Sequence, residues 1–74
     1  MVFYNLGKFC KYFRSEILNL TLNEMSNKVN INISTLSSFE NGRSTNYNHL
    51  IRYYRLGNEE QKKFFRENLP LEEV

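Results

Sequence analysis

The 74-residue sequence has no Asp, Ala or Trp, and only one each of Cys, His and Pro. Without Asp, and with His49 as its only imidazole, it lacks the residues for an Asp-based catalytic triad or a cluster of metal ligands. The Gly-rich phosphate loop, the Cys-x-x-Cys pair and the His-Glu-x-x-His motif are also missing. The sequence therefore predicts a protein that is not an enzyme, with no metal, no cofactor and no small-molecule substrate.

Long apolar runs are absent as well. No stretch of about 18 apolar residues exists for a transmembrane helix, and charges interrupt the N-terminal segment where a signal peptide would be apolar. Cys10 has no partner for an internal disulfide, so we expect it to be reduced and buried as packing. Eleven Asn and no Ala favour an A/T-rich genome, such as a low-GC bacterium or its phage. These features predict a cytoplasmic protein of a bacterial host cell, without membrane contact.

The charge is weak and uneven. Residues 1–55 carry seven Lys or Arg against three Glu, a net of +4, whereas residues 56–74 have a net of −2. A basic body suits a modest phosphate-binding surface, although small proteins often differ this much between halves by chance. The length predicts one small domain over residues 1–74, which dimerisation would help to stabilise.

Apolar spacing and capping signals predict five helices and no strand. The apolar residues from Leu6 to Ile17 follow the i, i+3, i+4, i+7 spacing of one helical face. Asn58 and Gln61 have the spacing of a capping box at the start of the last helix. The predicted helices cover about 5–18, 21–29, 32–41, 46 or 48 to 56, and 58–69.

The segment from Leu20 to Arg43 reads L-T-L-N-E-M-S-N-K-V-N-I-N-I-S-T-L-S-S-F-E-N-G-R and carries two sets of helix signals. Thr21 and Glu24 have the capping-box spacing of a helix start. Asn30 tolerates the left-handed conformation of a sharp turn, and Asn32 is a good N-cap for a second helix. That helix would end at the glycine of F-E-N-G-R. The segment therefore predicts two short helices joined by a tight turn.

Helical spacing also predicts which side chains face the core. The third predicted helix is expected to turn Thr35, Leu36 and Phe39 inward, and His49 is expected on an exposed turn of the fourth. The inner faces of the fourth and fifth helices are expected to hold Tyr47, Leu50, Ile51, Tyr54, Phe64, Phe65 and Leu69.

The segment resembles the Cro and lambda-repressor-like (XRE) helix-turn-helix family. The T-x-x-E motif followed by F-E-N-G-R at this distance is a fairly specific signal, whereas either half alone would be weak. The likeness extends upstream through residues 6–8 and 13–14 and downstream into the last helices, so it covers most of the chain. The matching positions are Leu20, Thr21, Glu24, Lys28, Ser34 or Thr35, Glu40, Asn41 and Gly42.

The chain departs from the family pattern at several places. Leu22 stands where a Gln usually helps to hold DNA, Ser26 replaces a small Ala, and Asn30 replaces the turn Gly. The stretch from Arg14 to Leu20 is one residue longer than usual. The outer face of the third predicted helix also has no Lys, Arg or Gln.

The resemblance implies an all-α, five-helix, lambda-repressor-like bundle with a helix-turn-helix at about 21–41. It implies a repressor-like regulator of phage or mobile-element origin, which reads double-stranded DNA with its third helix in the major groove. A polar, solvated face with a stray Ile is the alternative explanation of the outer side of that helix. The implied base contacts are Asn32, Ile33, Ser34, Ser37 and Ser38, and the implied phosphate contacts are Thr21, Lys28, Asn41, Arg43 and Ser44.

The family also implies an ion pair between Arg14 and Glu40, which would tie the first helix to the end of the third. Repressor-like domains usually read two half-sites, so a homodimer is expected. Surplus aromatic residues of the C-terminal third, such as Tyr53, could serve that interface, although core packing is the safer assignment for each of them.

A protein-interaction module on the same fold is the alternative function. Such a module would bind another regulator, a toxin or a nuclease, as an antirepressor or inhibitor does. The weak net charge, Leu22 and the apolar Ile33 favour this alternative. Salt dependence separates the two, because DNA binding weakens as salt rises through counterion release and an apolar protein contact changes little.

Overall fold

A computed structural model describes residues 6–43 and 47–69. These residues form five α-helices and a π-helical turn, and they contain no strand, so the prediction of an all-helical fold with five helices is confirmed. The predicted phosphate contact Ser44, the Asn46 start of the fourth helix, residue 5 and the side chain of Tyr47 lie outside the described residues. The elements are α1 (Leu6–Tyr12), the π turn (Phe13–Ile17), α2 (Leu22–Val29), α3 (Ile33–Glu40), α4 (Tyr47–Arg55) and α5 (Glu59–Asn68).

The first helix ends in the π turn, not in the regular helix predicted to residue 18. The Leu18 N–H donates to the Phe13 carbonyl at 2.8 Å, an i to i−5 bond that encloses one residue more than an α-helical bond. Asn19 follows with φ of 56°, a left-handed conformation that Asn tolerates. The π turn and the left-handed Asn19 therefore end the first helical segment before Leu20.

Two N-terminal caps follow the sequence signals. Thr21 Oγ1 accepts from the Glu24 N–H at 3.1 Å, and the Thr21 N–H donates to Glu24 Oε1 at 2.9 Å. Hydrogen bonding of the Glu24 carboxyl to the Thr21 backbone, followed by that to the Thr21 side chain, lowers the pKa of this carboxyl. Asn58 and Gln61 form the same reciprocal pair at the start of α5, with both distances 2.8 Å. Local spacing therefore sets where α2 and α5 begin.

Two left-handed residues end α2 and α3. Asn30 has φ of 56° and its N–H donates to the Ser26 carbonyl, which also accepts from the Ile31 N–H at 3.2 Å. Gly42 has φ of 79°, and the Arg43 N–H donates to the Ser38 carbonyl at 2.9 Å across it. Both ends have the bonding of a Schellman-type cap. The cap at Asn30 ends α2 shortly before α3 begins, and these two helices pack against each other.

All five helices and the π turn contribute side chains to the core. The Phe65 ring meets Phe9 and Phe13 edge-on, at centroid distances of 4.9 and 4.8 Å. The radius of gyration of 11.4 Å matches the roughly 11 Å expected for a folded chain of this length. The buried apolar residues are Phe9, Cys10, Phe13, Met25, Val29, Leu36, Phe39, Tyr53 and Phe65.

The prediction for the inner face of α4 is confirmed for Leu50 and Tyr54, which pack against the core, and was wrong for Ile51. Tyr53 is fully buried, whereas Ile51, predicted to face inward, is 46% exposed. Leu50 and Tyr54 are half-buried on the two sides of Tyr53. Tyr53 can be buried because its hydroxyl donates to the carboxylate of Glu40, and this partner was not visible from helical spacing.

Thr35 and His49 also differ from the predictions. Thr35 is exposed, because Leu36, Phe39 and Glu40 occupy the inner side of α3. His49 is half-buried, and its ring meets Phe39 edge-on at 5.5 Å. Its Nδ1 is buried and has no hydrogen-bond partner among the described residues. The prediction that His49 is exposed was therefore wrong, because its ring packs against Phe39 of α3.

Gly7 lets α1 approach α3 backbone to backbone. A Cβ at this position would lie 2.2 Å from the Phe39 carbonyl oxygen and 2.9 Å from that of Glu40. Neither oxygen is the end of a flexible side chain, so the two helices would have to separate. The end of α3 is therefore seated directly on α1.

We expect Gly7→Ala to lower the free energy of unfolding by about 1–3 kcal/mol, because overpacking outweighs the better helix propensity of Ala. Urea unfolding followed by circular dichroism measures this change, with the exposed α1 variant Lys11→Ala as control, expected within about 0.5 kcal/mol of the parent. A stabilised Gly7→Ala variant would contradict the close approach.

Candidate nucleic-acid interface

Helix α3 has one buried and one uncovered side. Leu36, Phe39 and Glu40 are buried against the rest of the fold. On the other side Ile33 is 39% exposed, and Ser34 is exposed. The side chains that α3 offers to a partner are thus short and uncharged, because the helix contains no Lys or Arg.

The predicted base contacts fall into two groups. Asn32 Oδ1 accepts from the Ser34 N–H at 2.9 Å and from the Ser34 hydroxyl at 2.8 Å, which joins these two residues at the start of α3. Ser37 Oγ accepts from Asn41 Nδ2 at 3.3 Å at the other end. Ser38 is half-buried. A hydroxyl oxygen in either group retains lone pairs that can accept a further hydrogen bond.

The predicted phosphate contacts do not form one cluster. Thr21 is the N-cap of α2 and Lys28 lies in its last turn, so about 10 Å of helix separates them. Asn41 and Arg43 are exposed beside the left-handed Gly42 after α3. Thr21 and Lys28 could therefore contact phosphates only at separate points along α2.

The sequence did not predict that Arg52 lies near the end of α2, beside the candidate interface. Its Nη1 donates to the Val29 carbonyl at 3.4 Å, and this contact places a guanidinium at the C-terminal end of α2. A cation there complements the negative end of the helix dipole. The two residues are 23 positions apart in sequence, so no local signal reveals the contact.

A buried ion pair holds α3 in place. Arg14 Nε donates to Glu40 Oε2 at 2.8 Å and Nη2 donates to Oε1 at 3.1 Å, while Nη1 donates to the Leu20 carbonyl at 2.8 Å. The Tyr53 hydroxyl donates to Glu40 Oε2 at 2.5 Å. The predicted pair is thus a bidentate contact, extended by bonds to the segment before α2 and to α4.

Burial and this network shift the pKa values of Arg14, Tyr53 and the nearby Cys10. The hydrogen bond to Glu40 raises the pKa of the Arg14 guanidinium, against the opposing effect of burial. Burial, followed by the hydrogen bond to Glu40, raises the pKa of the Tyr53 phenol. Burial, followed by the nearby Glu40 charge, raises the pKa of the Cys10 thiol. Tyr53 and Cys10 therefore stay protonated in the folded protein at neutral pH, which suits a structural role for both.

No metal-binding group of three His, Cys, Asp or Glu side chains occurs within residues 6–43 and 47–69. Over the same residues, no helix is both long and apolar enough to cross a membrane.

No protein-family model, curated protein or solved structure matches this chain. Its function therefore has to be inferred from its own residues and contacts.

We expect Arg14→Met and Glu40→Gln each to lower the free energy of unfolding by about 3–5 kcal/mol, because each leaves an unpaired group in a buried site. Urea unfolding of both variants and of the double variant gives the coupling energy. The double variant should lose clearly less than the sum of the two losses, since no unpaired charge remains. Additive losses would show that the two residues act independently.

Cys10 should make the protein less stable at alkaline pH. Because its folded pKa lies above the ordinary 9.0, the thiol stabilises the fold fully below pH 9. As pH rises further, the unfolded chain releases this proton and the folded chain keeps it. Between pH 8 and pH 10, the free energy of unfolding should fall by about 1.4 kcal/mol more in the parent than in Cys10→Ala. Urea unfolding at both pH values measures the difference, and equal falls would contradict a buried thiol.

Proposed function

We propose that this protein is a sequence-specific, DNA-binding transcriptional regulator of the lambda-repressor-like helix-turn-helix kind, and that α3 reads the major groove. The observation that carries the proposal is the construction of α3. Its inner side is fixed by the core and by the buried Glu40, and its outer side offers hydrogen-bonding groups that no described element covers. The family resemblance of the sequence adds support.

The dimensions of α3 suit such a role. An α-helix with its side chains is about 10–12 Å in diameter, and the major groove is about 12 Å wide, so α3 can lie in it. Ser34 can donate to or accept from base edges, and Ile33 can contact a thymine methyl group. Because α3 is held rigidly, little conformational entropy is lost when these groups meet the bases.

Phosphate contacts would come from outside α3. Arg43 and Asn41 follow the helix directly, and the N-terminus of α2, capped by Thr21, offers backbone N–H groups of the kind that bind phosphate. These contacts would fix the position of α3 in the groove without reading sequence. Lys28 and Arg43 are the two predicted phosphate ligands with a full charge.

The protein would act as a homodimer in the cytoplasm, with one α3 per half-site. It would control transcription by occlusion or by contact with polymerase.

Selection from a random duplex library, followed by fluorescence anisotropy on the enriched site, tests this function. We expect Ile33→Ala to reduce discrimination at one base position by about 1 kcal/mol, because it removes an apolar contact with a thymine methyl group. Arg43→Gln should weaken all duplexes equally and reduce the salt slope by about one, because it removes a phosphate contact. Lys63→Gln on the exposed side of α5 is the matched control and should change neither quantity.

One observation favours the alternative of a protein-binding module on the same fold. The uncovered side of α3 presents an apolar Ile33 and no cation, which suits an apolar protein contact better than a strong repressor. If no duplex is enriched, or if all duplexes bind alike with no change in Ile33→Ala, the DNA-reading function is wrong and this alternative replaces it.

A further inference from the structure

Helix α4 carries an exposed surface of which only Arg52 lies in the candidate nucleic-acid interface. Ile51, at 46% exposure, lies beside the exposed Arg52 and Arg55, and a shallow depression of about 300 Å³ is lined by these three residues and Asn48. The four positions have the i, i+3, i+4, i+7 spacing of one helical face. We call this surface the α4 patch. It shares no residue with the predicted base and phosphate contacts.

The burial of Tyr53 explains why Ile51 is exposed. Two positions along a helix correspond to about 200° of rotation, so Ile51 faces away from the core while Tyr53 bonds to Glu40. The α4 patch is therefore a fixed consequence of the buried network. Covering a large, exposed apolar side chain with a partner removes it from water and lowers the free energy.

The α4 patch is positively charged. Helix α4 contains no Glu, and within the described residues neither Arg52 nor Arg55 has a carboxylate partner. Arg52 uses one N–H at the Val29 carbonyl, which orients its guanidinium and leaves its other N–H groups for a ligand. The positive charge of the α4 patch thus favours a ligand with negative charge.

We propose that the α4 patch binds an acidic, amphipathic helical segment of a partner protein. An apolar side chain of that segment would cover Ile51, and flanking carboxylates would pair with Arg52 and Arg55 in charge-assisted hydrogen bonds. A second copy of this chain fits poorly, because two patches face to face would oppose Arg to Arg. A nucleic-acid phosphate would satisfy the two Arg but would leave Ile51 without an apolar contact.

Titration of the full-length, ¹⁵N-labelled protein with a synthetic peptide tests the proposal. The peptide is a helix of about four turns with Leu at i, i+3, i+4 and i+7 spacing and Glu beside each Leu. We expect chemical-shift changes centred on α4 and a Kd between about 10 μM and 1 mM. A peptide with Lys in place of Glu, and one with Ser in place of Leu, should bind about tenfold more weakly or not at all.

Matched variants locate the contact. Ile51→Asn and Arg55→Glu change exposed side chains, and each should weaken the Glu–Leu peptide by about tenfold or more. Lys63→Glu on α5 makes the same charge change elsewhere, and Ile33→Asn removes the other exposed Ile. Neither control should alter the peptide affinity.

Several results would overturn the proposal. No binding of the Glu–Leu peptide, equal binding of the Lys peptide, or loss of binding in Ile33→Asn would rule out the α4 patch as its site. If Ile51→Asn dissociates a homodimer in sedimentation, the patch is a self-interface. If Arg55→Glu weakens DNA and not the peptide, the patch binds phosphate. Since Ile33→Ala tests DNA reading on α3 separately, failure here leaves the proposed function standing.

Discussion

The arrangement of the helices depends on the buried carboxylate of Glu40. Arg14 and Tyr53 bring three donors to its two oxygens, and the remaining end of the Arg14 guanidinium bonds to the Leu20 carbonyl. A charge buried without such partners costs several kcal/mol, so the π turn, the segment before α2, α3 and α4 must all be in place together. Apolar packing alone would tolerate small rotations of α3, whereas this set of hydrogen bonds defines one orientation.

Features that depend on neighbours in sequence were predictable. The capping boxes at Thr21 and Asn58 require groups only three residues apart, and the ends of α2 and α3 require a residue that tolerates positive φ. The burial of Cys10 follows from its place on the apolar face of α1. In each case the physical cause lies within about one helical turn, where residue type and spacing contain the necessary information.

Features that depend on distant partners were not predictable in this way. The hydrogen bond from Tyr53 to Glu40 joins residues 13 positions apart, and it fits an orientation of α4 in which Ile51 is exposed. The small size of Gly7 is required by the carbonyl oxygens of Phe39 and Glu40, which lie more than 30 positions away in sequence.

The candidate site also contains both kinds of feature. The exposure of Ile33 and Ser34 followed from helical spacing, whereas the place of Arg52 at the end of α2 was seen only in the structure.

The distribution of charge has a consequence for the proposed reading of DNA. Cations on a recognition helix raise affinity for every sequence, because phosphate attraction carries no sequence information. Helix α3 has none, and the nearby cations Lys28, Arg43 and Arg52 lie on other segments. Under the proposed function, non-specific binding would be weak, and discrimination would rest on short polar groups and Ile33. Specificity is a ratio of affinities, so a helix of low charge can be selective if it is held rigidly, and the Glu40 network provides that rigidity.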